Sequence, residues 1–267
     1  MAELNAKDVM KLRDKTGLPM MACKAALTEA GGDFEKAEDI LRKQLKGKMD
    51  AKTDKVAGEG RIAIAVGAGS ATIVELKANT DFTAKNDAFI SLANSIAQGG
   101  LKLAPGSFAS ATQFASAIDD IRAKTGETIT IGRAEHVAGG PGIKFGSYVH
   151  HDGKTGALVK VEGDMSDEGL KQICMHIVAA QPRPQGVRAE DVPAAVVERE
   201  RKFRIEQAME SGKPKEIAEK MVEGGMRKFF EEIALLEQPY IMDPTKKVKD
   251  IVGKANVHQF WRWQVGE

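Results

Sequence analysis

The sequence predicts an α+β protein, and three patterns lead there. A helix-only stretch opens the chain, a strand hairpin followed by a helix occurs twice, and a highly charged helical stretch lies towards the carboxyl end. At 267 residues the chain exceeds one ordinary domain, and 42% hydrophobic residues provide for more than one core.

Residues 1–45 read as three short amphipathic helices. Asn5 is placed to cap the first, Val9 and Leu12 share a face, and Gly17 stops it. Pro19 suits the first turn of the second, where Cys23, Leu27 and Ala30 recur at helical spacing up to Gly31-Gly32. Asp33 caps the third, whose Phe34, Ala37 and Leu41 form one stripe. A bundle this small has no room for an active site, so it is expected to be a docking head. Residues 46–60, charged and poor in large apolar groups, read as a linker, helical in part.

Residues 61–140 form the first expected α+β subdomain. Ile62, Ile64 and Val66 alternate with Arg61, Ala63 and Ala65, a GAGS turn follows, and residues 72–77 make a second strand. Phe89, Leu92, Ala93 and Ile96 then mark a helix ending at Gly99-Gly100. Residues 111–124 read as a helix, 128–137 as a strand, and GGPG at 139–142 as a junction. The second subdomain, residues 141–191 with 237–267, starts similarly: strands at 147–150 and 157–161 flank the turn at Asp152-Gly153. Its helix over 167–180 carries Leu170, Ile173, Cys174 and Ile177 on one face. The two hairpin-plus-helix stretches lie about 85 residues apart and read as related units. Residues 192–236 are helical and charged, broken only by SGKP at 211–214, where Pro214 opens a second helix. Their apolar stripe (Val197, Phe203, Ile205, Met209, then Ile217, Met221, Phe229, Ile233) predicts a protruding antiparallel coiled-coil hairpin with a thin seam. Residues 259–265 alternate bulky groups as a final strand.

The composition excludes several functions. With 39 basic and 38 acidic residues the net charge is +1, without the basic excess of a protein living on phosphate backbones. Cys23 and Cys174 sit in apolar helical patterns and are expected as buried thiols. No apolar run approaches a membrane span and MAELNAKDVM is no signal peptide, so a cytoplasmic protein is expected, with no membrane partner. No G-x-x-x-x-G-K-[ST] loop occurs, and Gly67 and Gly69 belong to a hairpin turn instead of a dinucleotide site. His150 and His151 are adjacent and would point to opposite sides of a strand, which suits no shared metal. His176, mid-helix, reads as a packing or interface residue. We therefore expect no enzyme activity, no cofactor and no metal. An RNA-associated binding protein is the alternative, resting on Lys246, Lys247 and Lys249 near Trp261, Arg262 and Trp263. Against it, the tryptophans read better as closing a sheet edge over a core, given the near-neutral net charge.

One segment stands out. After the apolar run ATIVELK comes ANTDFTAKN, residues 78–86, where a strand hands over to a helix. Thr80 or Asp81 should cap backbone amides there. Phe82 either packs inward as a staple or projects as an aromatic anchor.

Here the residues resemble a known family. LRDKTGLPMMACKAALTEAGGDFEKA at 12–37, TDFTAKN at 80–86, MHIVAAQP at 175–182, SGKPKEIAEKMVEGGMRKF at 211–229 and QPYIMDPTKKV at 238–248 are similar, in order, to segments of elongation factor Ts. The resemblance implies a UBA-like head and binding to the GDP form of elongation factor Tu, whose nucleotide exchange such factors promote; no direct contact with nucleic acid is implied. It favours the projecting Phe82 and places the magnesium-dislocating segment at Thr80, Asp81, Phe82 and Thr83, with Met21, Cys23 and His150 as further contacts. Thr83 stands where the family commonly has valine, a near-isosteric exchange. The chain stops at WRWQVGE, where many relatives continue into a helical module whose absence is expected to reduce affinity or shift work onto head and core.

Overall fold

The computed structural model describes residues 6–16, 18–50, 58–210 and 215–267. Asn5, Gly17, linker residues 51–57 and the reversal at 211–214 lie outside them. Helices and sheets mix as an α+β protein should. The chain divides into two compact units, one of Met1–Ala65, Thr72–His136 and Gln264–Glu267, the other of Val66–Ala71 and Val137–Trp263.

The first unit opens with α1 (Ala6–Thr16), α2 (Met20–Glu29) and α3 (Phe34–Asp50). Val9, Leu12, Cys23, Leu27, Ala37 and Leu41 meet in one small core, as their spacing requires. The Asp33 carboxylate accepts from Lys36 N–H at 3.1 Å, and that bond holds its pKa below the ordinary value.

Next come β1 (Glu59–Gly67), β2 (Ser70–Ala78), α4 (Asp81–Ala84), α5 (Asp87–Gly100), β3 (Gly106–Ser107), α6 (Ala115–Thr125) and β4 (Thr130–Ala138). The strands pair in the order β1-β2-β4-β3. Phe89, Leu92, Ala93 and Ile96 of α5 pack on Val74, Leu76 and Ala78. In β1 it is Ala63 and Ala65 that join this core, while Val66 is exposed. Ile62 of β1 is buried as well, outside this cluster. Ala123 of α6 packs against the core of the three amino-terminal helices.

Glu75 of β2 is a carboxylate only 1% exposed. Arg133 Nε of β4 donates to its Oε2 at 2.7 Å, Gly266 N–H donates to its Oε1 at 3.0 Å, and Lys77 Nζ stands 4.0 Å away. A Cβ on Gly132 would come within 2.8 Å of Lys77 Cε and 3.0 Å of Glu75 Oε2, so the glycine clears space for this network.

The second unit holds β5 (Ile143–Val149), β6 (Thr155–Glu162), α7 (Asp167–Ala179), α8 (Ala194–Glu210), α9 (Lys215–Ile233), β7 (Pro239–Tyr240), β8 (Asp243–Lys247), α10 (Val248–Val252) and β9 (Asn256–Gln264). Strands β5 and β6 form an antiparallel hairpin in which Val149 opposes Gly156, and β9 adds to β6. Ser166 caps α7, accepting from Gly169 N–H at 3.1 Å, and Leu170, Ile173, Cys174 and Ile177 form the buried face. Gly146 lets the helix approach: a Cβ there would lie 2.6 Å from Leu170 Cβ. Both cysteines are free thiols and buried, and burial pushes that of Cys174 well up.

The seam between α8 and α9 differs from expectation. Ala208, Val222 and Met226 are buried in it, with Val197, Phe229 and Phe230 alongside. Phe203, Ile205, Met209, Ile217 and Met221, assigned to the stripe by spacing, are exposed. Ala208 is the small group at this seam, and the Arg204 guanidinium lies over Gly225, with Nη1 2.6 Å from where a Cβ would stand.

His176 is buried in α7, with Nε2 3.0 Å from Gln238 Oε1 and Nδ1 accepting from Ile241 N–H at 3.2 Å. Both ring nitrogens are satisfied in the neutral tautomer protonated at Nε2, which makes His176 a packing residue, as expected. Burial lowers its pKa from 6.5, partly opposed by the Gln238 bond. Below about pH 6.5 the unfolded chain therefore takes up a proton that the folded chain resists. Its contribution to stability is complete above that value and is lost as pH falls through it. Between about pH 7.5 and 5.5 the wild type should lose up to about 1 kcal/mol more than His176→Gln in urea unfolding. Equal losses would contradict this account.

Candidate partner-binding site

The segment over residues 78–86 forms a sharp corner where β2 ends and α4 begins. Thr80 is extended (φ −126°, ψ 155°) and its Oγ1 accepts from Thr83 N–H at 3.3 Å, the capping role expected of it. One turn later Asn86 caps α5, its Oδ1 accepting from Ala88 N–H at 2.9 Å. Two caps in seven residues give the chain a fixed zigzag.

This geometry sorts the four expected residues. Thr83 and Ala84 turn inward and are buried. Asp81 faces out and pairs with Lys85 Nζ at 2.7 Å, one turn along. Phe82 is 83% exposed. The inward staple is therefore not what this sequence adopts. The ring thus stands in water on a capped turn, free of internal packing.

A residue that sequence reasoning missed supports the corner. Glu127, in the loop between α6 and β4, accepts through Oε2 from the N–H groups of Asn79 and Thr80, each at 3.1 Å. Its Oε1 accepts from the Thr80 hydroxyl at 2.6 Å. Thr128 N–H returns a bond to Asn79 Oδ1 at 2.7 Å. Nothing local in the sequence links positions so far apart; the one cue is a carboxylate directly after Gly126, the left-handed end of α6 (φ 70°).

The remaining expected contacts divide. Met21 of α2 is 73% exposed and available. Cys23 is fully buried in the helical core, which corrects its assignment as a contact: its Sγ lies 3.7 Å from Thr16 Oγ1 and touches no surface. His150, half-buried in the second unit, has Nδ1 3.2 Å from Tyr148 Oη. Its ring centroid lies 4.2 Å from that of His151. The two rings are not on opposite sides, because both residues sit past the end of β5, where strand alternation has stopped.

The groups behind the RNA alternative are engaged elsewhere. Trp261 is buried. Lys247 and Lys249 reach Glu237 at 2.8 and 3.0 Å, and Lys246 reaches Asp243 at 3.2 Å. Among the described residues no cluster of three or more His, Cys, Asp or Glu could hold a metal ion, and no helix is long and apolar enough to cross a membrane.

Known proteins fit this picture. The family profile described as Elongation factor TS matches residues 79–267. All of the chain aligns at 44% identity with the Elongation factor Ts of Haemophilus ducreyi, covering 93% of that relative, and the same holds for that of Actinobacillus pleuropneumoniae serotype 3. The Elongation factor Ts of Pasteurella multocida aligns at 44% identity over 271 residues.

Proposed function

Because the chain belongs to the elongation factor Ts family, we propose that it binds the GDP form of elongation factor Tu and promotes exchange of GDP for GTP, with Phe82 disturbing the magnesium and phosphate site. The observation carrying the residue assignment is the solvated Phe82 ring on a doubly capped corner. A magnesium ion bridging phosphate and protein is the largest local charge holding GDP, so moving the groups around it weakens the nucleotide most. Factor and nucleotide then each lower the other's affinity. A thousandfold coupling corresponds to about 4 kcal/mol, within reach of one inserted aromatic and its strained surroundings. Thr80 and Thr83 hold the corner, while Asp81 brings a negative charge to the same place. Met21 and His150 supply accessible groups for further contact.

The layout proposed with this function is a UBA-like docking head over residues 1–45, two related hairpin-plus-helix subdomains, and α8 with α9 as an accessory arm. It is supported by the common core that α1–α3 share and the recurrence of hairpin and helix. The direct test mixes the purified chain with elongation factor Tu carrying fluorescent GDP and follows release by stopped flow. Release should accelerate to a plateau with the full chain. A chain lacking residues 1–45 should remain folded but need far higher concentration. Unchanged release at saturating full chain would end the proposal, and an unfolded or fully binding truncation would end the head assignment.

A further inference from the structure

We propose that Glu127 is the positioning residue of the exchange corner, holding residues 79 and 80 so that Phe82 is presented from a fixed base. The inference rests on the reading of Phe82 given above.

At the end of β2 the backbone leaves the sheet, and its N–H groups need other acceptors. Glu127 meets that need with a single carboxylate. Oε2 takes the amides of Asn79 and Thr80, while Oε1 takes the Thr80 hydroxyl proton at 2.6 Å. That last bond also sets the cap. With its hydrogen committed to Glu127, Thr80 Oγ1 has a lone pair directed at Thr83 N–H, the first turn of α4. The Phe82 ring leaves from this turn. One residue, Asp81, therefore separates the carboxylate's grip from the ring, and its own carboxylate pairs with Lys85.

Glu127 is itself positioned. Gly126 ends α6 with its N–H on Arg122 O at 2.8 Å. Arg122 Nε donates to Ile129 O at 2.8 Å, closing the loop from the other side. Thr128 N–H to Asn79 Oδ1 completes a reciprocal clasp, so the loop and the corner move as one piece. None of these bonds involves Phe82, whose ring stays 83% exposed.

The physical consequence concerns rate more than affinity. A ring that must displace groups in a partner meets resistance, and a loose support yields instead of transmitting it. Binding through other surfaces survives, but the complex forms with the ring deflected. Replacing Glu127 by alanine leaves three donors without their acceptor and frees the corner.

The test compares GDP release from elongation factor Tu at saturating factor for Glu127→Ala, Glu127→Gln, Phe82→Ala and the double variant Glu127→Ala/Phe82→Ala. Glu127→Ala should slow release about tenfold while changing the half-saturating concentration less than about threefold. Glu127→Gln keeps one acceptor for the two amides and offers an NH2 group to the Thr80 oxygen, so it should fall between Ala and wild type. The double variant should be no slower than Phe82→Ala alone, because an absent ring needs no positioning. A purely structural Glu127 would instead give additive losses. If Phe82→Ala releases GDP like wild type, the underlying reading of Phe82 fails. If Phe82→Ala is slow but Glu127→Ala is normal, or the losses add, Glu127 is not a positioning residue. Should Glu127→Ala not fold, Glu127→Gln decides by the same comparison in its own double variant with Phe82→Ala.

Discussion

Phe82→Ala is expected to slow elongation factor Tu GDP release at saturating factor about 100-fold, equivalent to about 2.7 kcal/mol of coupling. The ring is 83% exposed, so its removal takes away no internal packing. Thr80 capping and the Glu127 bonds use backbone and hydroxyl groups that the substitution leaves alone. The loss should therefore appear in the maximal rate, with affinity for nucleotide-free elongation factor Tu reduced much less. Stopped-flow titration separates the two. Equal free-energy losses in rate and affinity would mean that Phe82 is an ordinary contact. Asp81→Ala should follow the same direction more mildly, since its pairing with Lys85 is exposed and weakly stabilising.

The second large effect is on stability. Arg133→Met should lower unfolding free energy by about 3 kcal/mol, because it leaves the Glu75 carboxylate buried without its closest cation. Lys77 at 4.0 Å is a distant substitute. Replacing Glu75 and Arg133 together by leucine and methionine should recover much of that loss, since no uncompensated charge then remains inside. Urea unfolding of the single and double variants reads both numbers. A loss below about 1 kcal/mol for Arg133→Met would show that water reaches the carboxylate. Because β2 leads directly into the corner, the same single variant tests whether strand and corner loosen together.

Long apolar stripes carried most of the fold into view. The faces of α5 and α7 and the core of α1 to α3 follow from spacing alone, since each helix buries one side on a sheet or on its neighbours. Elements of two to five residues, β3, β7, β8 and α10, are too short to show a period. In α8 and α9 the stripe placed Val197 and Phe229 correctly at the seam but missed Ala208, Val222, Met226 and Phe230. Helix periodicity identifies a face as apolar, but tertiary fit decides which of its residues meet another helix, and here Phe203 and Met209 stay exposed. At the corner, Thr80 was legible as a cap because capping is local. The outward Phe82 followed from family resemblance, not from periodicity. Glu127 was illegible because a carboxylate's acceptor duties are set by tertiary approach, and no spacing rule links a loop to a strand end across that length of chain.

The exposed ring of Phe82 also separates two kinds of selection on one residue. Burying a phenylalanine yields about 1.5–3 kcal/mol, and in most positions folding takes that gain. Here the fold forgoes it, so the free energy stays available until a partner removes the ring from water. Under the proposed function, position 82 is nearly neutral for the stability of the isolated chain and demanding for the complex it would enter. A substitution there would escape a cell's quality control, which responds to unfolded protein, and would be noticed only as slow protein synthesis.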